Sequence, residues 1–208
     1  MAPGTTLATG LADLGITAVP DRIDKALAYI ELIAKWNRVD NLTAITEPEQ
    51  MVTHHLLDSL AIHPHLLDAD AILDIGAGAG LPGIPLAIFN GGRRFVLLDA
   101  AAKRVRFMRH AVATLGLDNV EVVQARADRW APPQRYDVVV SRAFASTADF
   151  VRMAAPALAP GGRILAMKGR LPRDELSDLP ENFEYTVTPL NVPGLAAERH
   201  LITITATS

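Results

Sequence analysis

The chain has 208 residues, half of them hydrophobic and 21% charged, which is typical of a folded globular protein and argues against global disorder. It contains no cysteine, which excludes disulfide frameworks, thiolate zinc sites, iron–sulfur clusters and cysteine nucleophiles. The net charge of −3 is unevenly distributed: residues 91–173 carry 15 of the 20 basic but 6 of the 23 acidic residues, and this block of +9 predicts a polyanionic partner.

The sequence predicts neither a secretory signal nor a membrane-spanning segment. The first dozen residues contain no Lys or Arg and no long apolar run, so we expect no secretory signal and a cytoplasmic protein. Residues 72–89 are apolar apart from one charge, but their glycines and prolines predict a buried strand, a loop and a helix start rather than a membrane span. Residues 1–20 predict a loose segment with at most one short helix.

Two helices are predicted within an N-terminal extension that covers residues 1–69. The first begins at Asp21, its predicted cap, and Asn37 and Asn41 are its two predicted ends. Its apolar stripe has helical spacing and consists of Ile23, Leu27, Ile30 and Ala34, and Trp36 continues it as a core residue. The second helix runs from about residue 47 to 63, because Thr46 and Glu49 have the spacing of a capping box.

Residues 70–208 predict an α/β domain. Short apolar runs predict five strands at 71–75, 95–99, 120–124, 136–141 and 162–167, and helical segments between them lie around 82–90, 103–115 and 147–158. Strands that alternate with helices predict right-handed crossovers and a mainly parallel, doubly wound sheet. The tail instead predicts an antiparallel pair at 185–190 and 200–207, because Thr alternates there with apolar residues.

A glycine-rich loop joins the first predicted strand to the next helix. It begins at Asp74 and contains Gly76, Gly78, Gly80 and Gly83. Glycines at such a turn let backbone amides approach a ligand, and Asp99 ends the next strand where a carboxylate can bind ribose hydroxyls. The glycine spacing alone also fits a dinucleotide fingerprint or a tight turn without ligand. Asp74 favours the D-x-G-x-G-x-G signature of class I S-adenosylmethionine methyltransferases, in which the acid helps to hold the methionine ammonium.

Several segments together resemble one family, that of ribosomal RNA small subunit methyltransferase G. The matching segments are Asn41–Ala44, His55–Ser59, Asp74–Pro85, Leu98–Asp99, Lys103–Phe107, Ser141–Ser146, Met167–Gly169 and Glu198–Leu201. They occur in order over about residues 25–204. The resemblance implies a Rossmann-like, class I methyltransferase sheet of seven strands with the last antiparallel, behind a helical N-terminal extension. It also implies N7-methylation of a guanosine in the 530 loop of bacterial 16S ribosomal RNA, at position 527.

The resemblance also implies which residues bind S-adenosylmethionine. Carried over position by position, the contacts are Gly76 and Leu81 in the loop, Ala127 and Asp128 after strand three, and Arg142 after strand four. Asp74 and Gly78 join this predicted cofactor site from the loop signature, and Asp99 joins it from the ribose argument.

The RNA contacts are predicted from the basic block. Lys103 and Arg106 open the helix after Asp99, and Lys168 and Arg170 follow strand five at the carboxyl edge, where doubly wound folds bind ligands. The partner implied is 16S ribosomal RNA or the small ribosomal subunit, and nothing in the sequence requires more than a monomer. Guanine N7 carries a lone pair and no proton at neutral pH, so we name no catalytic acid or base.

Other interpretations remain open at this point. A small-molecule methyltransferase would leave the basic block unexplained, and the third possibility is a non-enzymatic nucleotide- or RNA-binding module. His54 and Asp58 have metal-ligand spacing, but no further ligand is evident and we expect no metal. We expect Asp58 and His55 instead to hydrogen-bond the extension to the glycine loop.

Overall fold

The computed structural model describes residues 2–142, 144, 146–171 and 173–207. Two alanines of the Ser141–Ser146 motif therefore lie outside the described residues. The helices are α1 (Pro3–Asp13), α2 (Pro20–Asp40), α3 (Pro48–Met51), a π-helical segment (Val52–Leu57), α4 (Asp58–Leu60), a 3₁₀ turn (His63–Leu66), α5 (Gly83–Phe89), α6 (Ala102–Leu115), α7 (Thr147–Ala154), a 3₁₀ turn (Ala155–Ala157) and α8 (Arg173–Leu176).

Seven strands form one mixed sheet in the order β3-β2-β1-β4-β5-β7-β6. The strands are β1 (Ala71–Ile75), β2 (Arg94–Asp99), β3 (Val120–Gln124), β4 (Tyr136–Ser141), β5 (Leu158–Lys168), β6 (Phe183–Pro189) and β7 (His200–Ala206). The first five strands pair in parallel, and β7 runs antiparallel to both β5 and β6. The predicted parallel sheet, its antiparallel tail and the implied seven strands are confirmed.

Apolar residues of the strands point alternately to two cores, one on each face of the sheet. On one face, Ile72 and Leu97 pack with the N-terminal helices, α5 and α6. On the other face, Leu73 and Phe150 belong to the core beneath α7. Residue-by-residue alternation is the geometry of a strand that is buried on both sides. The first core crosses the boundary predicted after residue 69, and the division into 1–69 and 70–208 stays a prediction.

The N-terminal helices form, but two predicted caps are wrong. Helix α2 begins with Pro20 after Val19 in extended conformation, so Asp21 lies in the first turn rather than at the cap. Proline is favoured at this position because its missing N–H has no helical partner to lose. Likewise Glu47, not Thr46, precedes α3, and neither cap has a side-chain hydrogen bond.

The second predicted helix forms over residues 48–60, but its middle is π-helical. Between residues 48 and 60 an α-helical turn leads into the π-helical segment Val52–Leu57, and α4 follows directly. Of the two predicted ends of α2, Asn37 lies inside the helix and Asn41 ends it, in the left-handed conformation with φ of 47°. Trp36 packs against Phe107 of α6 with ring centroids 5.6 Å apart, which confirms its predicted core role.

Candidate active site

The loop between β1 and α5 is fastened to β2 through its backbone. The amides of Gly76 and Ala77 both donate to the carbonyl of Leu98, at 2.8 and 3.1 Å. The amide of Gly78 donates to Oδ2 of Asp99 at 2.9 Å. These bonds hold the loop at the carboxyl edge of the sheet, where ligands bind in open α/β folds.

The glycines of this loop are needed for different physical reasons. A Cβ on Gly80 would lie 2.4 Å from Ile84, and one on Gly83 would lie 2.2 Å from Leu97, so both glycines are required by packing. Gly78 has φ of +62°, and the atom nearest to its Cβ would be the Gly76 carbonyl oxygen at 3.9 Å. Its missing side chain therefore leaves open space beside the backbone, as a ligand-binding loop requires.

Asp74 is a buried carboxylate with one oxygen that the described residues do not satisfy. Its Oδ2 accepts a hydrogen bond from the amide of Gly83 at 2.9 Å, whereas its Oδ1 is buried and has no partner among the described residues. Burial raises the pKa of Asp74 to about 7, opposed by the Gly83 hydrogen bond and the nearby Arg142 charge. An unsatisfied buried acceptor is unfavourable on its own and suits a cationic donor such as an ammonium group.

Asp99 organises two turns in addition to facing a cavity. Its Oδ2 accepts from Gly78, its Oδ1 accepts from the amide of Ala101 at 2.8 Å, and Arg104 lies 3.6 Å away. The cavity next to it has a volume of about 270 Å³. Gly76, Ala127 and Asp128 line this cavity together with Asp99, so four predicted cofactor residues meet there. Asp128 is also paired with Arg126 at 2.9 Å.

A second cavity of about 240 Å³ also borders the glycine loop. It is lined by Gly76, Gly78, Leu81 and Arg142, together with Thr43 from the extension. Gly76 lines both cavities, and together we call them the cofactor zone. Every predicted cofactor residue except Asp74 lines one of them, and Asp74 is tied to the start of α5 beneath the loop.

The extension reaches the glycine loop through a residue that the sequence did not single out. The hydroxyl of Tyr29, fully buried in α2, donates to the carbonyl of Ala79 at 2.6 Å. Tyr29 lies on the apolar side of its helix, so the helical spacing marks it only as a core residue. A tyrosine in a core stripe generally finds a hydrogen-bond partner, which is the signal that could have found it.

The expected contact of His55 and Asp58 with the glycine loop is wrong. His55 hydrogen-bonds through Nε2 to the Thr43 hydroxyl at 3.0 Å, and burial lowers the pKa of His55 to about 4. Asp58 is paired with Arg142 at 3.1 Å and with Arg199 at 2.7 Å. The carboxylate of Asp58 therefore links the extension to the ends of β4 and β7. An i,i+4 spacing could not have predicted partners so distant in sequence.

The predicted RNA contacts lie in two places. Lys103 and Arg106 are exposed on α6, where Lys103 donates to the Asp40 carbonyl at 2.9 Å and Arg106 lies over Trp36. Arg170 is exposed after β5. Lys168 is less accessible, with a side chain 12% exposed and its ammonium 2.9 Å from Glu175. The role of all four in RNA binding stays a prediction.

Among the described residues, no group of three or more His, Asp or Glu side chains is placed to hold a metal ion. None of the helices in that part of the chain is long and apolar enough to cross a membrane.

Solved structures with a similar fold include methyltransferases. The glycopeptide N-methyltransferase MtfA matches with a TM-score of 0.63 at 16% identity, over 77% of this chain and all of that one. DhpI in complex with SAH matches with a TM-score of 0.54 at 17% identity, over 91% and 99% of the two chains. The sheet order and the glycine loop thus define a class I S-adenosylmethionine-dependent methyltransferase fold with N-terminal helices.

Sequence comparison then identifies the family. Residues 22–202 match the family described as rRNA small subunit methyltransferase G. The ribosomal RNA small subunit methyltransferase G of Methylococcus capsulatus is 50% identical over 195 residues, which cover 94% of this chain and 95% of the relative. The chain belongs to the ribosomal RNA small subunit methyltransferase G family, and the resemblance noted from the sequence is confirmed.

Proposed function

We propose that this protein transfers the methyl group of S-adenosylmethionine to N7 of a guanosine in the 530 loop of 16S ribosomal RNA, at position 527. Membership of an rRNA small subunit methyltransferase family supports methylation of 16S ribosomal RNA as the reaction. The observation that carries the proposal at the site is the unsatisfied oxygen of Asp74 beside an open glycine loop. The target atom and the loop of the RNA rest on the family resemblance.

The residues of the loop fit S-adenosylmethionine chemically. The free oxygen of Asp74 would accept from the ammonium of the methionine part, and Asp99 would accept from the ribose hydroxyls while it holds Gly78 in place. Ala127, Asp128 and Arg142 would complete the site. When bound, the cofactor supplies a sulfonium-linked methyl group that is already electrophilic.

The protein then has to position the reactants rather than remove a proton. Guanine N7 presents a lone pair and carries no proton at neutral pH, so direct displacement requires no general base. His55 is neutral near pH 7, because burial lowers its pKa to about 4, and its Nε2 is bonded to Thr43. Holding two reactants in line can by itself accelerate a reaction strongly. No acid or base is therefore assigned among these side chains.

The proposed partner is the small subunit or its precursor, bound by a cytoplasmic monomer. Lys103, Arg106 and Arg170 belong to the basic block of residues 91–173 and are exposed, and we propose that they contact RNA phosphates. Such contacts with phosphate release counterions and make affinity depend on salt.

The test uses small-subunit RNA that lacks the modification and carries either guanosine or 7-deazaguanosine at the target position. The expected result is transfer of radioactive methyl to the guanosine RNA and none to the 7-deaza RNA at that nucleotide, because the analogue lacks the nucleophile. Methylation of the 7-deaza RNA at the same nucleotide would overturn the N7 assignment. Transfer to small molecules but not to RNA or ribosomal particles would favour the small-molecule alternative.

A further inference from the structure

A larger cavity lies beside the cofactor zone and has not been assigned a ligand. It has a volume of about 420 Å³ and lies between the extension and the ends of β4, β5 and β7. Its apolar wall contains Ile45, Met167 and Leu190, and its polar wall contains Arg142 and Arg199. We call it the arginine cavity. Its size lies within the range of small-molecule sites, and it combines apolar surface with a few polar groups as such sites do.

The arginine cavity adjoins the space around the glycine loop. Arg142 and Thr43 line both the arginine cavity and the loop cavity that contains Gly78 and Leu81. A methyl acceptor must lie next to the donor, because the reacting atoms have to approach to about 3–3.5 Å. A cavity that shares a wall with the cofactor loop satisfies this requirement.

Asp58 fixes the two arginines of the polar wall. Its side chain is 3% exposed, and its two oxygens lie 3.1 Å from Arg142 and 2.7 Å from Arg199. Arg142 also donates to the carbonyl of His54 at 3.2 Å. A guanidinium carries five donors in a rigid plane, so these bonds orient each arginine and leave further N–H groups for a ligand.

The chemistry of the walls favours a purine base over a phosphate group. Guanidinium planes stack on bases and donate to a carbonyl oxygen such as guanine O6, while Ile45, Met167 and Leu190 offer apolar contact to a ring. A phosphate would gain nothing from the apolar wall. Enzymes that modify a base inside a structured nucleic acid first take that base out of its stack into a pocket.

We propose that the arginine cavity receives the target guanine after it leaves its stack, and that Asp58 is a positioning residue that holds Arg142 and Arg199 for it. The proposal rests on the proposed function, because it takes the methyl acceptor to be a guanine in RNA. It adds the pocket and the residues that select the base.

The first experiment compares two arginines that are equally buried. Arg199 is 22% exposed and paired with Asp58, whereas Arg163 is 21% exposed and paired with Asp68. Arg163 lies in β5 opposite Thr205, five residues from the Lys168–His200 end where the cavity opens. Arg199→Ala should slow single-turnover methyl transfer to small-subunit RNA by about ten- to a hundredfold, the effect of losing a charged hydrogen bond, and leave S-adenosylmethionine affinity unchanged. Arg163→Ala should retain the wild-type rate.

The second experiment locates the base directly. Small-subunit RNA with photoreactive 6-thioguanosine at the target should cross-link to peptides that contain Ile45, Met167 or Leu190. Equal rates for Arg199→Ala and Arg163→Ala would overturn the proposal. So would cross-links only outside the cavity, since a slow Arg199→Ala would then indicate a phosphate contact. Failure of the wild-type protein to methylate RNA would instead contradict the proposed function.

The role of Asp58 is separated from folding by a double-mutant comparison. Asp58→Asn and Arg199→Ala should each slow methyl transfer, and the double variant should be no slower than the slower single variant, because both changes disrupt one unit. Arg199→Lys keeps the charge but lacks the planar fork, so it should remain slow although it folds. Additive losses, or a normal rate for Arg199→Lys, would contradict the positioning role.

Discussion

Burial of the Asp74 carboxylate should lower the stability of the cofactor-free protein. In the unfolded chain this carboxyl has the ordinary pKa of 3.8, whereas burial in the folded protein raises its pKa to about 7. Replacing it by asparagine in Asp74→Asn keeps the size of the side chain and a carbonyl oxygen for the Gly83 amide, but removes the ionisable group.

The sign and size of the effect follow from proton linkage. Between pH 3.8 and about 7 the folded protein binds this proton more tightly than the unfolded chain does, so the free energy of unfolding falls as pH rises through that window. The whole penalty is about 4 kcal/mol at about 1.4 kcal/mol per pKa unit. Most of it, roughly 2–3 kcal/mol, develops between about pH 5 and 8. Asp74→Asn should therefore gain stability relative to wild type by that amount over this range.

The assay is urea unfolding of the cofactor-free wild-type and Asp74→Asn proteins at several pH values. Burial lowers the pKa of His55 to about 4, so the free energy of unfolding falls towards acid in both proteins. This effect cancels when the stability of one protein is subtracted from that of the other. Added S-adenosylmethionine should stabilise wild type more than the variant, because the ammonium loses its carboxylate partner. A stability difference that stays constant from about pH 5 to 8 would refute the reasoning.

Three further predictions concern the loop and the chemistry. Gly78 and Gly116 both have φ near +60° and open space at the missing Cβ. Gly78→Asn should therefore lose S-adenosylmethionine binding in calorimetry, whereas Gly116→Asn should not. Equal affinities of the two variants would contradict the loop assignment. Tyr29→Phe removes the bond to Ala79 and should lower the free energy of unfolding by about 1–2 kcal/mol and weaken cofactor binding; unchanged binding would show that the loop does not depend on it. Single-turnover methyl transfer at saturating cofactor and RNA should be flat between about pH 6 and 8, and a titration abolished by changing one histidine would contradict the base-free mechanism.

The sequence predicted the parts of the site that depend on neighbouring residues. The loop from Asp74 to Gly83 combines the end of a buried strand, glycines and a helix start within ten residues. Its conformation depends on residues that are close in sequence, so the sequence pattern was enough to predict it. The parallel strands were recognisable for the same reason, because runs buried on both faces contain continuous apolar residues. The Thr-rich alternation likewise marked β6 and β7.

The parts that the sequence did not predict join distant residues. Asp58 meets Arg142 and Arg199 across 84 and 141 residues of chain, and these contacts exist only because the sheet brings β4 and β7 beside the extension. The bond from Tyr29 to the glycine loop likewise spans 50 residues. The capping errors have a local origin, because Pro20 satisfied the helix start without the side-chain bond expected from Asp21.

The measurement that tests the central claim most directly is mapping of 7-methylguanosine in 16S ribosomal RNA from cells with and without this protein. The modified base is located by chemical cleavage at 7-methylguanosine, in cells that carry the wild-type protein, the Gly78→Asn variant or neither. Cleavage at position 527 is expected with the wild-type protein alone. Cleavage there in cells that lack the protein, or loss of a modification at another nucleotide instead, would contradict it.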